Sequence, residues 1–259
     1  MPRSLKFFYF GHQCPHNAYL LARIKTIAWK ESVPLHLFDI TNDEETCARY
    51  RIFSPNMLIV NDKYRLHGPF SKERIVAMLD DEDIEPRAYA VKQSEDVVKG
   101  DLLPLTPKSV LSTCVPCIGP DDTGLCRGKA EWIGDMMKSS GLDNLGYLHF
   151  VGGVCVGGAE FLPSEKVPYP IPDKRDDNAF ITCSFLSDEV KDYRTHPLLA
   201  LLGHLRDHGF STVSVAASVD VVFPNGPVEW FERKGFKDRG VLINEELHCA
   251  EIHYLQLRL

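Results

Sequence analysis

The chain carries eight cysteines: Cys14, Cys47, Cys114, Cys117, Cys126, Cys155, Cys183 and Cys249. An even count would suit disulfides in a secreted protein. Without a secretory start, buried thiols, redox groups or metal ligands are the expected uses. "FYFGHQCPHN" sets Cys14 where an aromatic strand gives way to a helix. Backbone N–H groups and the helix dipole at such a junction favour a thiolate, so a lowered thiol pKa is expected there, with His12 and His16 close in sequence. Position 17 is Asn, so no internal bridge closes at that spacing. Oxidation should instead give mixed disulfides with Cys114, Cys117 or a small thiol. The Cys114-x-x-Cys117 spacing can grip a metal ion or act as a redox dithiol, and Cys126 lies in the same loop. Structural zinc wants four ligands. Asp121 and Asp122 are poor ligands for a soft metal, and His149 or Cys155 would have to arrive through folding, so no tightly held metal is expected.

The elements that must position these groups follow from periodicity and punctuation. "LKFFYF" reads as a strand, "NAYLLARIKTIAWKES" as a helix with apolar residues at Leu20, Leu21, Ile24, Ile27 and Ala28, and "LHLFDI" as a second strand. Asp43 can cap the helix "DEETCARYRI"; "NMLIV", Asn61-Asp62 and "KYRLH" form a hairpin; "SKERIVAMLDD" is a Ser-capped helix. The order is β-α-β-α-β-β-α. The acidic stretch from Asp80 to Lys99 reads as a linker, with a boundary near Pro86 dividing residues 1–86 from 87–259. Beyond it come the strand "DLLPLT", a helix starting at Thr106-Pro107, the cysteine loop, and the helix "KAEWIGDMMKSSG". The strands "GYLHFVGG", "VCVGGAEFLP" and "NAFITCSFLS" follow, then the helix "THPLLALLGHLRDHG", the strand "STVSVAAS", a short helix in "GPVEWFERKGF" and the terminal strand "AEIHYLQLRL". This half is α+β, an antiparallel meander feeding a strand-helix-strand unit.

The 259 residues are 44% hydrophobic and 25% charged, ordinary for a globular protein. A net charge of -7 gives no electrostatic footprint for nucleic acid or an anionic membrane. No apolar run approaches the roughly 18 residues that span a bilayer, and the start is too short in apolar residues for a secretory signal. A cytoplasmic protein with no nucleic-acid or membrane partner is expected.

Residues 4–80 resemble the thioredoxin fold, with Cys14 where that family keeps its first redox cysteine and Pro55 where it has a cis-proline. From about Gly100 onward the chain resembles a GCN5-related N-acetyltransferase, within it the YoaP-like branch. The likeness rests on "LLPLTPKSV", "KAEWI", "GGAEFLPSE", "AFITCSFLS", "STVSVAAS" and "VEWFERKGF" in that order. It implies acetyl-CoA as cofactor and a small-molecule or peptide amine as acceptor. The acyl-CoA arm would run along Cys183, Phe185 and Leu186, and the diphosphate would meet Tyr193, Arg194, Thr195, His196 and Leu198. Phe231 would stand where many members carry an acidic Tyr. Glu160 would be the base that deprotonates the amine, with Glu165 second and Cys14 as the thiol of the other unit. The loop "SDEVKDYRTHPLL" holds no glycine where the backbone should approach the diphosphate closely, so weak binding is expected. Two other classes fit these residues: a thiol oxidoreductase using Cys14 with Cys114 and Cys117, and a non-catalytic binding or sensor protein.

Overall fold

The computed structural model describes residues 3–68, 70–82, 84, 94–115, 117–118, 122–186, 190–245 and 250–259. The expected boundary at Pro86, Asp121, the start of the glycine-free loop at 187–189 and Cys249 lie outside the described residues.

The first unit contains β1 (Leu5–Tyr9), α1 (His16–Glu31), β2 (Leu35–Asp39), α2 (Glu44–Tyr50), β3 (Asn56–Val60), β4 (Tyr64–His67) and α3 (Lys72–Leu79). Its sheet has the order β2-β1-β3-β4, with β1 parallel to β2 and β3 antiparallel to both β1 and β4. The β1 sequence is apolar without alternation because both of its faces are covered. Leu5 and Phe7 point toward α1 and α3, meeting Leu20, Ile24 and Ile75. Phe8 and Phe10, on the other face, join Trp132, Tyr169 and Leu242 of the rest of the chain. One continuous core therefore crosses from the first unit into the second.

The second unit contains β5 (Asp101–Pro104), α4 (Pro107–Thr113), α5 (Thr123–Ser140), β6 (Gly146–Val151), β7 (Val154–Pro163), β8 (Asn178–Leu186), α6 (Thr195–Asp207), β9 (Thr212–Ser218), α7 (Val228–Glu232), β10 (Lys237–Glu245) and β11 (Ala250–Arg258). Seven strands run β10-β11-β9-β8-β7-β6-β5. β5 to β8 form the expected antiparallel meander, and β8, α6 and β9 form a parallel crossover. Thr106 caps α4 as its sequence suggests, with a reciprocal bond from Ser109. α5 starts earlier than the apolar pattern implies, so Cys126 is helical, in the first turn after the cap Asp122.

The β8–β9 pair is incomplete. Asn178–Ile181 pair with Thr212–Val215, yet β8 runs on to Leu186 and β9 to Ser218. Against β7, Glu160 faces Cys183 while Phe161 faces Ile181, so Thr182 is the extra residue of a β-bulge. A bulge bends its strand and adds twist; here it falls where β8 leaves β9.

Candidate functional site

A cavity of about 300 Å³ opens where β8 and β9 part. The second unit contributes Cys117, the β8 residues Thr182–Phe185, Arg194 and the segment Val221–Gly226. The first unit closes it with Gln13, Cys14, Pro15 and His16, which precede or begin α1, and with Pro55, Asn56, His67 and Gly68 from around β3 and β4. The structure thus brings Cys14 to the same cavity as Cys183 and Phe185.

Beside the cavity sits a fully buried ion pair, Lys129 with Glu160. Gln13 Nε2 donates to Glu160 Oε1 at 2.7 Å and Thr182 Oγ1 donates to the same oxygen at 2.6 Å. Lys129 Nζ also donates to the Gln13 carbonyl and lies 4.4 Å from the Trp132 ring centroid. A buried charge is tolerated only when paired and hydrogen-bonded, and these contacts meet that condition. Gly128 lets α5 come close enough: a Cβ there would meet the His12 ring at 2.9 Å. Glu160 does not line the cavity itself; Thr182 and Gln13 stand between. Glu165 is elsewhere, in a 3₁₀ turn, half-exposed and 3.4 Å from Lys166.

The thiols depart from the sequence expectation. Cys114 is bonded to Cys126, not poised with Cys117. The Cys114/Cys117 dithiol is therefore absent, and the loop keeps one free thiol, Cys117, at the cavity. The early start of α5 explains this: it places Cys126 opposite the end of α4, with Cα atoms 5.5 Å apart. Nor is the Cys14 thiol lowered. Burial pushes it up to about 12 and Cys117 adds to the rise, which the His16 backbone N–H and Lys129 only partly oppose. Burial likewise holds Cys117 at about 11 and Cys183 well above its ordinary value. The helix-dipole expectation fails because desolvation of a thiolate outweighs the donors at the helix start. Asn17, at the position of the missing cysteine, bonds the carbonyls of Gly11 and Pro55 through its Nδ2. The cis peptide bonds among the described residues precede Pro224 and Pro227, so Pro55 is trans, contrary to the resemblance.

Of the expected diphosphate residues, Arg194, Thr195 and Leu198 are buried, while Tyr193 and His196 are half-buried. Arg194 is buried, donating to Ser184 Oγ at 2.9 Å, to the Gly226 carbonyl at 2.8 Å and to the Asn225 carbonyl at 2.9 Å. Its guanidinium carbon lies 4.1 Å from the Trp230 ring centroid, and burial lowers its pKa to about 10. The amides of Arg194 and Thr195 at the start of α6 donate to Asp192 Oδ1 at 3.0 and 2.8 Å. That helix terminus already holds an anion, the chain's own. Burial would raise Asp192, but bonds from Thr195, Trp230 and Arg194 leave it below the ordinary carboxylate value. Tyr193 gives its carbonyl to His149, and His196 reaches the Gly100 carbonyl. Leu198 and Phe231 are fully buried core residues, the latter edge-on to Trp230 and Phe236. The Leu186 side chain lies outside the described residues; its backbone pairs with Gly157.

Asn225 fills the gap in the ladder. Its Oδ1 accepts from Ser184 N–H at 3.0 Å, and its Nδ2 faces the carbonyls of Ile181 at 3.5 Å and Ala216 at 3.3 Å. One side chain thus replaces backbone bonds that the parted strands cannot make with each other. The turn that delivers it needs Gly226, where a Cβ would stand 1.8 Å from the Val221 carbonyl. Gln13, Lys129, Thr182, Asn225 and Asp192 are not in the sequence-derived site. Lys129 had a signal, since it opens "KAEWI"; Thr182 and Asn225 had none short of the strand register.

At the level of sequence, no family model and no curated protein matches the chain. Solved structures that it is similar to include Ard1 from Thermoplasma volcanium, at 14% identity and a TM-score of 0.40, over 62% of this chain and 99% of that one. A ribosomal-protein-alanine N-acetyltransferase from Brucella melitensis is similar at 11% identity and a TM-score of 0.43, over 61% and 99%. The PaiA N-acetyltransferase from Thermoplasma acidophilum, in complex with coenzyme A, is similar at 13% and 0.39, over 61% and 98%. These identities and scores are low, and the fold rests on the strand order and register given above. No helix among the described residues is long and apolar enough to cross a membrane.

Proposed function

We propose that the chain transfers an acetyl group from acetyl-CoA to an amine of a small molecule or peptide. The observation that supports this reading is the parting of β8 from β9 at the Thr182 bulge, with a cavity of about 300 Å³ at the gap. That volume is at the lower end of those of small-ligand sites. An unpaired strand edge pairs with an extended chain of amides, and the pantetheine arm is such a chain. The motif order in the sequence points the same way.

The two ends of the cofactor fit unequally. Cys183, Phe185 and the backbone of Leu186 would hold the arm, while the diphosphate would meet Tyr193 to Leu198, where Asp192 already takes the helix amides. Bound acetyl-CoA supplies a thioester open to attack by an amine. The chain's part is to receive a proton: an amine in the cavity passes one to Thr182 Oγ1 as that hydroxyl passes its own to Glu160 Oε1, 2.6 Å away. Glu160 is thus the base through Thr182, and the residues of the first unit that close the cavity face the acceptor. Thiol exchange between Cys14 and Cys117 is the competing use of the cavity, and the raised thiol pKa values weigh against it.

Calorimetric titration tests the reading. Wild type should bind acetyl-CoA weakly. Asn225→Gly, at a position whose φ is 44° and suits glycine, frees the Ser184 N–H and should bind more tightly. No heat from either protein at millimolar acetyl-CoA would remove the transferase reading.

A further inference from the structure

At the far end of α6 from Arg194, Asp143, His204 and His208 present ligand atoms that all lie within 4.8 Å of one another. We propose that these three residues bind one divalent transition-metal ion, such as Zn²⁺ or Ni²⁺, and thereby clamp the end of α6 to the segment between α5 and β6.

The placement follows from helix geometry. Residues four apart stand above one another on one helix face, and here the two imidazoles lie with centroids 3.9 Å apart and planes 30° from parallel. Tyr147 meets His204 edge-on, with centroids 5.9 Å apart, and restrains that ring. Asp143 approaches from the loop after Gly141, the left-handed cap of α5.

The hydrogen bonds leave donors free for an ion. His208 Nδ1–H donates to the His204 carbonyl at 2.7 Å, which puts the proton on Nδ1 and leaves the Nε2 lone pair. Second bonds of this kind fix the tautomer of metal-ligating histidines. Asp143 Oδ1 accepts from Asn144 Nδ2 at 3.1 Å, leaving Oδ2 for an ion. Asp207 adds negative charge close to His204.

Ligand atoms around a tetrahedral zinc stand roughly 3.4 Å apart, given metal–ligand bonds near 2.1 Å. The present spacing needs a contraction of at most about 1.4 Å on that basis, and His208 and Asp143 are exposed side chains able to make it. Imidazole and carboxylate donors select zinc, nickel or copper over calcium or magnesium. Three protein ligands leave a position for water, and the exposure of His208 gives the ion its way in.

Titration of the whole chain with Ni²⁺ by calorimetry, paired with melting temperatures, tests this. Wild type should bind one equivalent and melt at a higher temperature with Ni²⁺ present. His208→Gln and Asp143→Asn, both at exposed positions, should each weaken binding by about 100-fold, the scale seen even for outer-shell partners, and lose the shift in melting temperature. Cys117→Ser should bind as wild type does, separating this site from the cavity thiols. Equal Ni²⁺ affinity in wild type and both exposed variants, or loss in Cys117→Ser alone, would overturn the proposal.

Discussion

Two buried carboxylates tie the first unit to the second, and they are built differently. Glu160, in the middle of β7, faces Lys129 from α5, with Gln13 and Thr182 on its other oxygen. Glu245, at the end of β10, faces Arg65 and His67 from β4; Arg65 Nε is 2.7 Å from Oε1, and His67 Nδ1 is 2.7 Å from Ser54 Oγ. In the first network the strong cation belongs to the second unit, and the first unit supplies an amide and a carbonyl. In the second, both basic groups come from the first unit. Glu160 would keep its countercharge if the units separated, whereas Glu245 would lose both. The contrast teaches that a buried charge can organise a site or join two bodies, depending on which side its counterion comes from.

The largest effect should come from breaking the Glu160 pair. Lys129→Met leaves a carboxylate buried without its cation, a change that costs about 3–5 kcal/mol. Adding Glu160→Gln removes the orphaned charge, and most of the loss should return. Urea unfolding of the two single variants and the double variant measures the coupling. A double variant no more stable than Lys129→Met would show that the pair is not the unit described here.

The second effect is set by pH. Burial alone would raise the pKa of Glu245, but His67 and then Arg65 outweigh it and hold the carboxyl at about 2, below the ordinary 4.5. A depressed folded-state pKa gives stability that is present above about 4.5 and lost as pH falls toward 2. The shift corresponds to about 3 kcal/mol at 1.36 kcal/mol per pH unit. Because both partners lie on β4, the loss should loosen the first unit against the second. Stability curves between pH 5 and 2, wild type against Glu245→Gln, would show a flatter profile in the variant across that window. Parallel profiles would count against the network.

The sequence spoke clearly where a single element carried the message. Phe7 and Phe8 in an unalternating strand, Asp43 before "EETC" and Thr106-Pro107 each state a local rule, and the structure obeys it. The succession of elements in the first unit and the antiparallel meander β5–β8 were legible for the same reason, whereas the order of strands within each sheet emerged only from the pairing. The site was legible only in part, because its geometry lives between elements. Glu160 and Cys14 stand out by type, yet their neighbours Thr182 and Lys129 reach them through a one-residue register shift and a helix face. Cys114 with Cys117 was misleading: a short spacing suggests a pair, but the early start of α5 gives Cys114 to Cys126. Asp192 and Asn225 were hidden most deeply, since each answers a backbone need visible only once α6 and the parted strands exist.

The smallest effect separates the two carboxylates named as candidate bases. Glu165 is half-exposed and pairs with Lys166, its neighbour in sequence, at 3.4 Å. An exposed pair of this kind contributes on the order of 0.5 kcal/mol, so Glu165→Gln should leave stability and acetyl transfer almost unchanged. Thr182→Val is its useful counterpart. It keeps the shape of the bulge residue but removes the hydroxyl that bonds Glu160 from the cavity wall. If the proton travels through that hydroxyl, kcat should fall by about 10²-fold, the lower range for general-base catalysis, with acetyl-CoA affinity little altered. Solvent isotope effects on kcat should change as well, because one relay step is gone. A Thr182→Val protein with wild-type kcat, beside a Glu165→Gln protein that has lost it, would move the base from the buried pair to the exposed turn and reverse the assignment made here.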